Sequence, residues 1–141
     1  MQRTLVIVKP DAVGRGQIGD VIRCFQAKGF KITAMKMMQL TADQAKAFYR
    51  VHAERPFYNS LVEFMTSGPV VPICIEGADA SVIDEVRALM GATNPAEAAE
   101  GTIRKLFAAN IERNVVHGSD SPESAADEVP FFFSEVDFVN Y

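Results

Sequence analysis

The residues Asn114-Val115-Val116-His117-Gly118-Ser119-Asp120-Ser121 put one of the chain's 2 histidines at the end of a short apolar run, directly before a Gly-Ser turn. Histidine has an unperturbed pKa of about 6.5, so near pH 7 much of it is a neutral nucleophile able to accept a phosphoryl group. The plainer alternative is a histidine that hydrogen-bonds a loop carbonyl. A phosphoryl-transfer site also needs cations. The chain has no G-x-x-x-x-G-K-[ST] loop, so side chains would have to hold a nucleotide, and Lys9, Arg87, Arg104 and Thr93 are the candidates. Arginine presents a fork of donors that matches two phosphate oxygens, whereas lysine acts as a point charge. Taken singly, Arg87 and Arg104 also read as solvated helix charges, and Lys9 as a charge at a strand end.

Two nucleotide-like motifs fail on context. Gly14-Arg15-Gly16-Gln17-Ile18-Gly19 matches G-x-G-x-x-G, but Lys9 to Val13 separate it from the preceding strand. The second strand then closes in Gln39-Leu40, without an acidic residue to hold a ribose. Lys28-Gly29-Phe30 opens like the RNA-binding motif of RRM domains, but Lys31-Ile32-Thr33-Ala34-Met35 lacks the aromatics that would stack bases.

The elements that would position these residues follow from periodicity. Thr4 to Val8 is β-branched and apolar and predicts a buried strand. Ile18, Val21, Ile22 and Phe25 then recur at helical spacing until Lys28-Gly29 supplies a stop. Phe30 to Leu40 alternates as a second strand. Thr41 with Gln44 and Ser60 with Glu63 read as capping boxes that open two short helices separated by Arg55-Pro56. Val70 to Glu76 is a third strand, and proline at 72 within it predicts a bulge or an unpaired amide. A helix follows with Val82, Ile83, Val86, Leu89 and Met90 inward and Gly91 at its end. Ala92 to Gly101 shows no period and reads as a long loop, Val115-Val116 as a last short strand, and Ser121-Pro122 as an N-cap with proline at the first helical position. Without the helical pair and the loop, the order is βαββαβ. This is an α+β, ferredoxin-like arrangement with a four-stranded antiparallel sheet covered by helices.

At 141 residues, residues 1–141 fit one domain that can bury a core without disulfides or structural metal. Cys24 and Cys74 sit in apolar stretches and form no C-x-x-C pair, so they read as free, buried thiols of a reducing compartment. No stretch approaches the roughly 20 apolar residues of a membrane helix, and the chain is expected to be cytoplasmic, with no membrane partner. A net charge of −4 offers no general basic field, so nucleic acid is not expected as an obligate partner.

The octapeptide closely resembles the active-site signature of the nucleoside diphosphate kinase family, of bacterial type. The resemblance also runs through Lys9-Pro10-Asp11-Ala12-Val13, Phe48-Tyr49, His52-Ala53-Glu54-Arg55-Pro56-Phe57, Phe64-Met65, Ser67-Gly68-Pro69-Val70-Val71, Arg87, Gly91-Ala92-Thr93-Asn94-Pro95 and Gly101-Thr102-Ile103-Arg104. These blocks keep the family's order and span essentially the whole chain. The resemblance implies the ferredoxin-like fold and ping-pong transfer of the γ-phosphate of ATP, or another triphosphate, to nucleoside diphosphates, which maintains the triphosphate pools. His117 would carry the phosphate on one ring nitrogen, the pros or the other being left open.

It further implies that Arg87, Thr93 and Arg104 bind the nucleotide phosphates, and that Lys9 and Asn114 bind the sugar hydroxyls, with Lys9 also near the transferred group. Phe57 would stack on the base, Tyr49 would position the reacting phosphate, and Ser119 and Glu128 would orient the His117 ring. His52 would build the pocket wall, and Asp11 and Asp120 read as turn caps. Mg2+ would arrive on the nucleotide phosphates, so no protein metal ligands are expected. The partners implied are nucleoside di- and triphosphates and other copies of the chain, with a tetramer favoured over a hexamer or dimer. Two other classes remain: a phosphohistidine carrier that passes its phosphate to a protein, and a catalytically silent binding module.

Overall fold

Leu5, Val6, Ile7 and Val8 are all fully buried, which a strand with alternating side chains achieves only when both of its faces are covered. The computed structural model describes Met1–Tyr141 and shows that cover. β1 (Gln2–Val8) lies inside a four-stranded antiparallel sheet with β2 (Lys31–Met35), β3 (Val71–Gly77) and β4 (Val116–Gly118), in the order β2-β3-β1-β4. This is the ferredoxin-like order expected from the sequence.

Helices α2 (Ile18–Ala27) and α5 (Val82–Met90) cover one face, where Phe25, Val86 and Met90 pack with Val6, Val8, Ile73 and Ile75. The inserted pair α3 (Ala42–Phe48) and α4 (Tyr58–Met65) and the last helix, α7 (Pro122–Phe132), cover the other face. There Leu5, Ile7 and Cys74 meet Ala45, Met65, Val129 and Phe132. At roughly 1.5–3 kcal/mol per fully buried aliphatic side chain, these two layers hold β1 rigidly, and β1 leads directly into Lys9.

The local signals succeed where side chain and backbone close a short loop. The Thr41–Gln44 capping box forms, with the Gln44 amide donating to Thr41 Oγ1 at 3.1 Å and the Thr41 amide to Gln44 Oε1 at 2.9 Å. Ser121 caps α7 by accepting the Ser124 amide at 3.1 Å.

Several expectations are corrected. Ser60 and Glu63 form no capping box. Helix α4 has already begun at Tyr58, so Ser60 lies in its first turn and its hydroxyl donates back to the Phe57 carbonyl at 2.9 Å. Pro72 makes no bulge: it keeps register opposite Ile7, and its carbonyl accepts the Lys36 amide at 3.2 Å, with no N–H to return. The register shift falls on the partner strand between Ile32 and Ala34, and β2 ends at Met35 rather than Leu40, leaving one isolated bridge between Met38 and Val70. Cys24 is only half-buried on α2, while Cys74 is buried. The last strand starts at Val116, after a backbone kink at Val115. Two short helices lie outside the periodic elements: α1 (Pro10–Gly14), started by Pro10, and α6 (Ile103–Phe107), capped by the Thr102 hydroxyl. Each is five residues long, too short to show a period.

The C-terminal segment packs back on the sheet. Arg3 stacks over Phe138 at 4.0 Å, and the Val139 amide donates to the Thr33 carbonyl at 2.8 Å along β2.

Candidate active site

The last strand is set by a strained turn. Val115 has φ = 77°, and the Val116 amide donates to the Asn114 carbonyl at 2.9 Å, closing a three-residue γ-turn. Positive φ at a β-branched residue costs about 1–3 kcal/mol and persists only where its surroundings over-determine it. They do so here. The Val115 amide donates to Asp11 Oδ2 at 3.1 Å, the Val115 carbonyl accepts the Lys9 amide at 2.8 Å, and Arg104 Nη2 donates to the Val116 carbonyl at 2.7 Å. The turn re-aims the chain so that His117 follows in β4, opposite Ile7. Gly118 comes next, and a Cβ there would lie 2.4 Å from Met90 Sδ, so a larger residue would displace the Met90 thioether.

The His117 ring is fixed on several sides. Nε2 lies 2.6 Å from Glu128 Oε1, and an ionised carboxylate only accepts, so Nε2 carries the proton and Nδ1 the lone pair. Glu128 is itself held by the Ser119 hydroxyl, which donates to Oε1 at 3.1 Å, while Ser119 Oγ accepts the Leu5 amide at 3.3 Å. Phe48 meets the imidazole edge-on with centroids 5.3 Å apart, and Tyr49 does so at 6.1 Å. The buried Tyr49 hydroxyl has no hydrogen-bond partner, and burial, then Glu128, raises its pKa. It stays protonated as a free donor.

The cations converge on the same place. Lys9, at the end of β1, is 8% exposed, and its Nζ donates to Asn114 Oδ1 at 2.8 Å. Burial, with Arg104 adding repulsion, lowers the Lys9 pKa to about 8. Arg104 is 6% exposed on α6, and the Asn114, Gly91 and Val116 carbonyls accept from its Nε, Nη1 and Nη2 at 3.2, 3.0 and 2.7 Å. Burial and then Arg87 bring its pKa down to about 10, so it remains a cation at pH 7. A guanidinium has five N–H donors, so only part of Arg104 is left for a ligand. Arg87 is exposed on α5 and donates to the Gly118 carbonyl at 3.2 Å, one turn from the close approach at Met90.

A cleft of about 580 Å³ is lined by Lys9, Tyr49, Phe57, Arg87, Thr93, Arg104, Asn114, His117 and Glu128. Ser119 alone among the sequence candidates does not reach it, being 1% exposed and acting through Glu128. His52 forms part of the wall, with its ring 5.4 Å from the half-exposed Phe57. Asp120 also lines the cleft, and its Oδ1 accepts the Ser124 hydroxyl at 2.6 Å, which holds its carboxyl below the usual range. The sequence reasoning missed the apolar rim of Val51 and Ile111, the Glu112 carboxylate and the Phe48 brace, and read Asp11 only as a turn cap. None of these carries a local signal, because each acts only through a neighbour distant in the chain.

The nucleoside diphosphate kinase family model matches residues 2–138. A nucleoside diphosphate kinase from Desulforapulum autotrophicum is 59% identical over 139 residues, 99% of each chain, and one from Persephonella marina is 55% identical over 99% of this chain and 98% of that one. The solved nucleoside diphosphate kinase of Aquifex aeolicus superposes with a TM-score of 0.95 at 46% identity, covering 98% of this chain and 99% of that one. A nucleoside diphosphate kinase family protein from Babesia bovis gives 0.93 at 39% identity over 100% and 94%. The chain belongs to the nucleoside diphosphate kinase family.

Proposed function

We propose that this protein transfers the γ-phosphoryl group of ATP, or of another nucleoside triphosphate, to nucleoside diphosphates through a phosphohistidine on His117. The carrying observation is the 2.6 Å contact between His117 Nε2 and Glu128, which leaves Nδ1 as the free base beside a cation-lined cleft. The Nδ1 lone pair attacks the γ-phosphorus as the bond to the β,γ-bridging oxygen breaks. ADP leaves with that electron pair, and the ring keeps its proton on Nε2. Phosphorylation makes the ring cationic, and the Glu128 carboxylate stabilises it. A β-phosphate oxygen of a nucleoside diphosphate then attacks the same phosphorus from the opposite direction and regenerates the neutral ring.

The remaining groups divide the work. Arg87, Thr93 and the free part of Arg104 hold the phosphates, Lys9 and Asn114 the sugar hydroxyls, and the Tyr49 hydroxyl the transferred group. Phe57 offers a face to the base. Because phosphoryl transfer has a loose, charge-rich transition state, fixed cations act mainly as electrostatic stabilisers. Mg2+ belongs to the substrate in this scheme. Among the acids here none is gathered into a three-ligand group, whereas the nucleotide phosphates bring oxygens suited to that ion.

Incubation with γ-labelled ATP and magnesium, without acceptor, should leave acid-labile label on the protein, and unlabelled GDP should discharge it into GTP. His117→Gln should abolish the label while keeping the fold. Equal labelling of that variant rules out the nucleophile, and label that GDP cannot remove points to a protein phosphocarrier instead.

A further inference from the structure

We propose that Asp11 is a positioning residue for phosphoryl transfer: its carboxylate holds the strained turn at Val115 and thereby sets both Asn114 and His117. The proposal rests on the phosphohistidine reading above. Asp11 lies in the first turn of α1, and its side chain is 5% exposed. Oδ2 accepts the Val115 amide at 3.1 Å and lies 3.7 Å from Arg15 Nη2, while Oδ1 is buried with no partner. A buried carboxylate kept for a single backbone amide is an expensive way to cap a short helix, and α1 already has Pro10 at its start. What the carboxylate does secure lies across the fold. Val115 is wholly buried, and its amide has no other acceptor among the hydrogen bonds of the turn.

Each of the other polar groups of the turn is held from a second side. The Asn114 carbonyl accepts both Arg104 and the Val116 amide, the Val115 carbonyl accepts the Lys9 amide, and the Val116 carbonyl accepts Arg104. The Asp11 contact is therefore the one restraint on the N–H side of the peptide joining Asn114 to Val115, whose carbonyl side Arg104 and the Val116 amide hold. Without it the buried amide is unpaired, and rotation of that peptide, although it strains the Arg104 and Val116 contacts to the carbonyl, both supplies relief and lets φ at Val115 leave its positive value. Such a rotation carries the Asn114 side chain away from Lys9 and tilts the entry into β4, where His117 sits two residues on. Phe57, Arg87 and Thr93 stand on other segments and keep their places, so nucleotide affinity should survive better than transfer.

The test is single-turnover phosphorylation of the full chain by γ-labelled MgATP, followed over time at several ATP concentrations. Such a rate constant does not depend on how much protein is active. In Asp11→Ala, the limiting rate constant should fall at least tenfold, about 1.4 kcal/mol, while the ATP concentration giving half the limiting rate changes by less than threefold. Asp11→Asn keeps an acceptor oxygen in the same place and should recover to within about threefold of wild type. Wild-type protein that takes no label refutes the phosphohistidine reading itself. If wild type labels and Asp11→Ala labels with an unchanged rate constant, or Asp11→Asn is as slow as Asp11→Ala, the positioning role is overturned. Should Asp11→Ala fail to fold, the Asp11→Asn rate constant and its half-saturating ATP concentration decide alone: within threefold of wild type supports the role, and slower overturns it.

Discussion

At the floor of the cleft, Lys9, Arg104 and Asn114 are at most 8% exposed and each is hydrogen-bonded to protein, whereas at its mouth Phe57 is 48% exposed and Arg87 and Thr93 stand in the open. The floor is built on the buried end of β1, on α6 and on the strained turn before β4. The mouth is built on the start of α4, the last turn of α5 and the loop after it. On the proposed mechanism the difference separates two demands. The reacting end must present fixed charges to a developing transition state, and reorganisation there would cost rate directly. The base end needs only a flat apolar surface, and every nucleobase has a π-face, so adaptability costs little there. Broad base tolerance is the outcome expected from that division, because rejecting a base takes polar groups aimed at base edges.

Substitution should break the two ends differently. The largest effect is expected at the floor, from Arg104→Ala. It removes three hydrogen bonds to carbonyls as well as the proposed phosphate contact, so both quantities should drop: unfolding free energy by about 2 kcal/mol or more, and kcat/KM by more than tenfold. Chemical denaturation and steady-state kinetics measure the pair, and an unchanged unfolding midpoint would show that Arg104 is not part of the scaffold.

Arg87→Ala, at the mouth, is the counterpart. Charge-assisted phosphate contacts contribute roughly 1.5–3 kcal/mol, so kcat/KM should fall by about tenfold or more, while stability stays within about 0.5 kcal/mol. A loss of stability as large as that of Arg104→Ala would erase the contrast between the two ends.

Phe57→Ala should have a smaller and more uniform effect. Loss of one stacking face at the lower end of about 1–3 kcal/mol raises KM about fivefold for purine and pyrimidine diphosphates alike, leaving His117 able to be phosphorylated. A panel of ribo- and deoxyribonucleoside diphosphates is the measurement. A preference above about a thousandfold for one base, some 4 kcal/mol, would reveal an edge-reading contact at the mouth.

The smallest effect is a fraction of a proton. With its pKa at about 8, Lys9 is half-protonated at that pH, and an incoming phosphate favours the charged form. Nucleotide binding near pH 8 should therefore take up protons, to be read by calorimetry in buffers of different ionisation enthalpy, and kcat/KM should fall as the pH rises through 8. Stability should move the other way. The folded-state pKa of Lys9 is below its unfolded value of 10.5, so between about pH 8 and 10 the unfolded chain binds more protons, and the free protein gains stability with rising pH. Lys9→Met should abolish the proton uptake, and uptake that persists would assign it to another group.

Much of the scaffold is legible in the sequence alone, because it depends on interactions that close within a few residues. The βαββαβ order follows from strand and helix periods, and the Thr41 and Ser121 caps from side chains that reach amides three residues on. The candidate groups, His117 and the cations that line its cleft, were legible from residue type, and the family signature supplied their grouping. Where local rules failed, the cause was again physical. Ser60 has a capping residue's chemistry but lies inside a helix started by the turn at Arg55-Pro56, and Pro72 keeps an ordinary register with β1 while the irregularity falls at Thr33 of β2.

The sequence by itself determined which groups are present: a histidine and cations with the chemistry of a phosphoryl-transfer site, and strands apolar enough to be buried on both faces. Only the tertiary structure decided which nitrogen of His117 is free, that Arg104 spends three of its donors on the backbone, that Ser119 works behind Glu128, and that Asp11 meets Val115 across 104 residues of chain. Hydrogen bonds between backbone groups and distant side chains leave no period and no spacing in the sequence. They exist because burial forces each amide and carbonyl to find a partner, and which partner it finds depends on how the layers pack.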